Sequence, residues 1–128
     1  MTRRISLALF VVLNACGGSD DPPTVDASGS GNIDAPAATV QAVEPCVGES
    51  ATVSSEVGFM YTPMATTITQ GQIVKFVNRG DHDVAPTGVS DTGLKVGFGA
   101  TKCLRFTATG TFNFKCTPHG FVGSITVN

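Results

Sequence analysis

Long apolar runs, basic clusters, helical periodicity and histidine are all scarce in this chain of 128 residues. The longest apolar stretch, Ile5-Ser6-Leu7-Ala8-Leu9-Phe10-Val11-Val12-Leu13, is too short to span a bilayer. No basic patch exists, so the electrostatic footprint of a nucleic-acid binder is missing and nucleic acid is excluded as an expected partner. Charged residues make up only 14% while Gly, Thr and Val are plentiful, which favours a β domain with many turns over a helical one. There is no Gly-rich phosphate cradle and no paired-carboxylate cleft. There is no Trp and one Tyr, and the two histidines are His82 and His119.

The N-terminus reads as a targeting segment. Arg3-Arg4 precede the apolar core, which ends in Leu13-Asn14-Ala15-Cys16-Gly17. This resembles the cleavage box of bacterial lipoproteins, in which the cysteine becomes the lipidated first residue. The resemblance implies a signal peptide over 1–15 and lipidation at Cys16; the alternative is an ordinary secretory signal cut nearby. Either route takes the protein out of the cytosol, where disulfides become permissible. Losing Arg3 and Arg4 leaves six basic against ten acidic residues, a net charge of −4. A lipidated Cys16 would hold the chain to the cell envelope. Gly17 offers no inner-membrane retention signal, so the outer membrane is preferred.

Residues 16–44 are rich in Gly, Ser, Asp, Pro and Ala and are expected to form a flexible tether. Such a coil reaches about 30 Å. The folded domain is expected over 45–128. There Ala51–Val57, Thr66–Thr69, Ile73–Asn78, Cys103–Thr107, Thr111–Cys116 and Val122–Val127 read as strands, with Phe59–Pro63 extended and a short strand around Leu94–Val96. Short strands, many turns and no convincing helix predict an all-β Greek-key β-sandwich.

The chemistry concentrates at the C-terminus. The strand ending at Cys116 is followed by Thr117-Pro118 and His119, and a second strand closes the chain. His82 also follows a strand, and the extended run resumed by His82-Asp83-Val84 is expected to be interrupted at Pro86. Cysteine plus two histidines is the ligand set of a blue-copper site. Taken singly, Asp81-His82-Asp83 reads equally as a solvated turn and Cys116 as a small core residue.

The segment from Phe59 to Asn128 resembles the cupredoxins, the plastocyanin, amicyanin and pseudoazurin group. Four features carry the resemblance. Phe59-Met60-Tyr61-Thr62-Pro63 followed by Ile68-Thr69-Gln70-Gly71-Gln72-Ile73-Val74-Lys75-Phe76-Val77-Asn78 is similar to the family's early strands. His82 follows the Asn. Gly110-Thr111-Phe112-Asn113-Phe114-Lys115-Cys116 is similar to the strand that delivers the copper cysteine, and Cys116-Thr117-Pro118-His119 is similar to the tight ligand loop. The resemblance implies one copper ion held by His82, Cys116 and His119, no enzymatic activity, and one-electron transport by a monomer between transient redox partners. Two alternatives stay open: a copper storage, delivery or sensing module, and a metal-free structural domain.

The chain departs from the family pattern. No Met follows Met64, and the position of the family's axial Met is taken by Val122. A non-coordinating Val122 implies a three-coordinate site, or one capped weakly by a backbone carbonyl near His82, such as that of Asp81, with a raised reduction potential. Asp83 stands where Asn is common, and the Asn78–His82 loop is short. Asn78 is expected either to tie this loop to the Cys116 loop or merely to end a strand. Pro118 has no N–H to offer the thiolate. The resemblance further implies that His119 is the solvent-facing ligand, with Pro118, Gly120 and Phe121 as an apolar patch around it; Phe121 reads equally as core. With Cys16 and Cys116 assigned, Cys46 and Cys103 remain as a disulfide pair, the alternative being a zinc site joining either thiol to His82 and His119. Two histidines are too few for a copper oxidase. A Cys–His nucleophile would need an orienting acid and an oxyanion loop, and neither is evident.

Overall fold

The computed structural model describes residues 38–88 and 91–128. The expected signal segment 1–15, the expected lipidation site Cys16 and most of the expected tether lie outside the described residues. Eight strands occur: β1 (Val40–Val43), β2 (Ala51–Ser54), β3 (Ala65–Ile68), β4 (Ile73–Val77), β5 (Ala85–Pro86), β6 (Thr101–Phe106), β7 (Gly110–Lys115) and β8 (Val122–Val127). No helix is present among the described residues. The strands form two four-stranded sheets, ordered β1-β6-β4-β2 and β3-β8-β7-β5. Pairs β2–β4 and β3–β8 are parallel and the others antiparallel. This is the expected all-β sandwich.

Alternation builds the core. Val40, Val53, Val74, Phe76, Leu104 and Phe106 of the first sheet face Ile68, Phe112, Phe114, Ile125 and Val127 of the second. Each buried side chain of this size stabilises by about 1.5–3 kcal/mol relative to exposure. Phe114 is the hub near the ligand end, edge-on to Tyr61 at 4.7 Å and to Phe76 at 5.5 Å. Gly123 lies across from it in the β7–β8 ladder. A Cβ at Gly123 would stand 2.6 Å from two Phe114 ring carbons and 3.1 Å from Tyr61. The missing side chain is therefore what lets both rings fill the space behind the Cys116 strand.

Two expectations change. First, Val40–Val43 lies inside the segment expected as tether, yet it pairs with β6 and buries Val40 in the core. The chain is held there by Asp91, whose carboxylate accepts from Thr39 N, from Thr39 Oγ1 at 2.7 Å and from Val40 N at 3.2 Å, and also from Gly93 N at 2.7 Å. Second, Pro86, expected to interrupt a strand, belongs to β5. This strand lies at a sheet edge, where a missing N–H costs no ladder bond. Cys46 and Cys103 are joined by a disulfide across 57 positions, fastening the segment after β1 to β6. Closing a loop of that length stabilises by roughly 4 kcal/mol in the chain-entropy view.

Two stability predictions follow from these contacts. Gly123→Ala forces Phe114 from its place and should cost about 1–3 kcal/mol by denaturant unfolding; unchanged stability would show that the ring pocket relaxes freely. Burial works to raise the Asp91 pKa but is outweighed by the hydrogen bonds from Thr39, Gly93 and Val40, so it lies below its ordinary value. A lowered folded-state pKa gives stability that is complete above the unfolded value of about 3.9 and is lost as pH falls through the folded one. Asp91→Asn should therefore be less stable than wild type at pH 7 and lose less stability on acidification below about pH 4. Parallel pH profiles for the two proteins would contradict this.

Candidate metal centre

Two connections meet at one end of the sandwich. The first leaves β4 and turns at once: the Arg79 carbonyl accepts from His82 N and from Gly99 N, both at 3.0 Å. This turn delivers the His82 ring into a fully buried position. Its Nδ1 lies 2.7 Å from the carbonyl oxygen of Ser55. A carbonyl only accepts, so Nδ1 carries the proton and donates, and Nε2 carries the lone pair. Nε2 is buried and has no hydrogen-bond partner. Leaving such an acceptor unpaired costs on the order of 1–3 kcal/mol.

The second connection joins β7 to β8. The Cys116 carbonyl accepts from Gly120 N and Cys116 N donates to the Phe121 carbonyl, both at 2.9 Å. Gly120 closes this tight loop with φ of +72°, a conformation that a side chain disfavours. Cys116 is buried and is the one free cysteine among the described residues. Its Sγ lies 3.6 Å from Nδ1 of the exposed His119. The two imidazole rings stand edge to face with centroids 5.0 Å apart. The structure thus brings His82, Cys116 and His119 to one place.

The two connections are tied by Asp83. Its carboxylate accepts from Thr117 N and Thr117 Oγ1, each at 2.6 Å, and its carbonyl accepts from the Tyr61 hydroxyl at 2.5 Å. Burial, with Cys116 and Asp83 adding to it, pushes the Tyr61 phenol above its ordinary range, so it remains a donor. Asn78 acts elsewhere. It accepts from Ser55 Oγ at 3.1 Å and donates to the Gly97 carbonyl at 3.1 Å. It therefore positions the segment that holds His82, and the link to the Cys116 loop falls to Asp83.

The walls differ from expectation at two points. Val122 does not line the centre. Inward positions of β8 are Gly123, Ile125 and Val127, so Val122 faces outward, 56% exposed, beside Met64 and Ser124. Phe121 takes the inner place instead, 4.9 Å from His82 and 4.7 Å from Tyr61, and packs on the core. The second point is Phe59, which sequence reasoning placed only in an extended piece. It is 63% exposed, yet its ring lies 4.7 Å from His119 and 5.9 Å from His82. The Arg79 guanidinium sits 6.0 Å over it. Arg79 also grips Asp81 with two bonds of 2.6 and 2.8 Å, which hold the Asp81 carboxyl below the usual carboxylate range. No periodicity marks Phe59, and its only signal was its nearness to Tyr61 and Pro63.

The donor set fits copper: a buried thiol beside one imidazole, and a second imidazole whose lone pair is buried without a partner while its other nitrogen is anchored. The chain matches the copper-binding proteins of the plastocyanin/azurin family over residues 48–128. A plastocyanin from Lactuca sativa is 31% identical over 93 residues, which cover 59% of this chain and 94% of the relative. A plastocyanin from Prochlorothrix hollandica is 37% identical over 82 residues, covering 53% of this chain and 63% of the relative. Among solved structures, a reduced single-site mutant of amicyanin shares the fold with a TM-score of 0.57 at 20% identity, covering 70% of this chain and 99% of that one. The chain belongs to the plastocyanin/azurin family of copper-binding cupredoxins, whose members bind one copper ion.

The Asp83 tie gives a prediction. Asp83→Ala removes both acceptors from Thr117 and should cost about 1–2 kcal/mol. Amide exchange of residues 116–121 should quicken while that of β4 and β6 is unchanged. Equal protection of the loop in both proteins would show that Asp83 does not hold it.

Proposed function

We propose that His82, Cys116 and His119 hold one copper ion and that the domain carries single electrons between transient protein partners at an extracytoplasmic membrane surface. The observation that supports this reading most is the His82 ring: buried, anchored through Nδ1, and presenting an unpartnered Nε2 beside the second imidazole of the Cys116 loop. Copper supplies one-electron exchange between Cu(I) and Cu(II). The residues supply the rest. Ser55 fixes the His82 ring, Asp83 fixes the Cys116 loop, and Phe121 with Tyr61 keeps water from the inner side. Donors held from separate, hydrogen-bonded connections keep their places whichever charge they face. His119, Pro118 and Gly120 are exposed, with Phe59 against the His119 ring, so a partner docking there touches a ligand side chain directly.

The anchor completes the reading. Cys16, lipidated after removal of 1–15, would hold the domain to the envelope, with the outer membrane preferred, on a tether of polar residues. The domain is read as a carrier and not as an enzyme, and as a monomer.

The test is titration of the metal-free protein with Cu(II), followed optically and by EPR, beside Cys116→Ser. The wild type should saturate at one equivalent with an intense visible thiolate-to-copper band, which Cys116→Ser loses. A wild type without that band would refute the site. Reversible cycling with rapid electron self-exchange should accompany the band; binding without exchange would favour storage or delivery.

A further inference from the structure

A hydrogen bond from outside the donor set orients the His82 ring, and His119 has no such bond. Among the described residues its polar contact is that of Nδ1 with the Cys116 sulfur at 3.6 Å, a fellow donor. His119 is exposed on a loop, so another contact must decide where its ring points. This inference rests on the copper reading above. We propose that Phe59 is the positioning residue for His119: its ring holds the exposed imidazole toward the donor set, as the Ser55 carbonyl holds His82.

Three observations carry it. First, the Phe59 ring stands 4.7 Å from the His119 ring, tilted by 54°, and 5.9 Å from the His82 ring. Both separations lie in the range of favourable aromatic pairs, so one side chain engages both imidazoles. Phe121 adds a third neighbour to His119, within 10° of parallel at 6.3 Å. Phe121 is packed on the core, whereas Phe59 closes the solvent side. Second, Phe59 is 63% exposed and outside the core cluster, so burial does not account for its place.

Third, the segment that carries Phe59 is fastened. Two positions on, the Tyr61 hydroxyl donates to the Asp83 carbonyl at 2.5 Å. Next to it, Thr62 and Ser54 exchange two backbone bonds of 2.8 and 2.9 Å. The Arg79 guanidinium, gripped by Asp81, lies 6.0 Å over the Phe59 ring, at the reach of a cation–π attraction. Phe59 is thus held from its own backbone and from the turn that precedes His82. An imidazole confined among rings loses less orientational freedom when it takes a metal, and it swings less readily into water. The energy of one aromatic pair corresponds to about three- to tenfold in the population of the held ring.

The experiment compares the full-length wild type with Phe59→Ala, Phe59→Tyr and Phe98→Ala. Phe98 is 58% exposed, so its truncation controls for the loss of an exposed ring. In the metal-free proteins, NMR three-bond couplings report rotamer averaging at His119. After loading with one equivalent of Cu(II), EDTA removes the ion while the thiolate band is followed. Phe59→Ala should show averaging at His119 that the wild type lacks, and should lose copper to EDTA about three- to tenfold faster. Phe59→Tyr should restore both values, and Phe98→Ala should leave both unchanged. Phe59 lies outside the core, so the variants should fold, as circular dichroism would verify. Either readout staying at its wild-type value in Phe59→Ala overturns the proposal. So does a Phe59→Tyr protein that recovers neither, or an equal effect of Phe98→Ala. A wild type lacking the thiolate band overturns the copper reading and this proposal together, before any Phe59 substitution is compared.

Discussion

The hydrogen bond from His82 Nδ1 to the Ser55 carbonyl is the contact on which the functional end of this sandwich turns. Its net contribution to stability is of the ordinary size, about 1 kcal/mol. Its larger effect is on direction. By consuming the Nδ1 proton it sets the tautomer, and by fixing the ring plane it decides where the Nε2 lone pair points. Ser55 is itself immobilised by two further bonds, one of them to a residue that is fastened in turn. Its N–H donates to the Val77 carbonyl at 2.9 Å, its hydroxyl donates to Asn78, and Asn78 is fastened to Gly97. A buried imidazole with an unused acceptor would be a liability in a sandwich that lacked a ligand for it. Here the surrounding bonds prevent the ring from turning away to relieve that cost.

The two sides of the site are constrained differently. His82 is sealed by Phe121, Phe59 and the opposing imidazole, and its backbone belongs to a turn pinned by Arg79 and Gly99. His119 hangs on a six-residue loop, exposed, with Phe59 at its side. One imidazole thus contributes rigidity and the other contributes access. Asp83 reconciles the two, because it sits next to His82 in the chain and bonds to the residue following Cys116. A displacement of either connection is transmitted to the other through two bonds of 2.6 Å.

Much of this was legible in the sequence for simple reasons. Histidine and free cysteine are rare enough here that each could be singled out, and Cys116 and His119 are so close in the chain that a tight loop had to bring them together. The sandwich itself was legible because strands with one buried face alternate with period two. What escaped had non-local causes. β1 reads as Val-Gln-Ala-Val within a small-residue segment, and it is a strand because β6 offers an edge and Asp91, some fifty positions later, holds its entry. Phe59 lies in a bend without periodicity, so only the folded chain puts it beside His119. Val122 is the instructive case. Ile125 and Val127 face inward, and the same parity sends Gly123 inward and Val122 outward; a loop-length analogy outweighed a strand rule that the sequence already contained.

The departures from the family pattern are best understood together. Three successive positions of the ligand loop have no free N–H to offer the sulfur: Cys116 N goes to Phe121, Thr117 N goes to Asp83, and Pro118 has none. A thiolate that receives no hydrogen bonds from these groups keeps its electron density for the metal. An absent thioether, taken alone, would leave Cu(II) less supported and raise the reduction potential. An electron-rich sulfur acts in the other direction, since it stabilises the more highly charged ion.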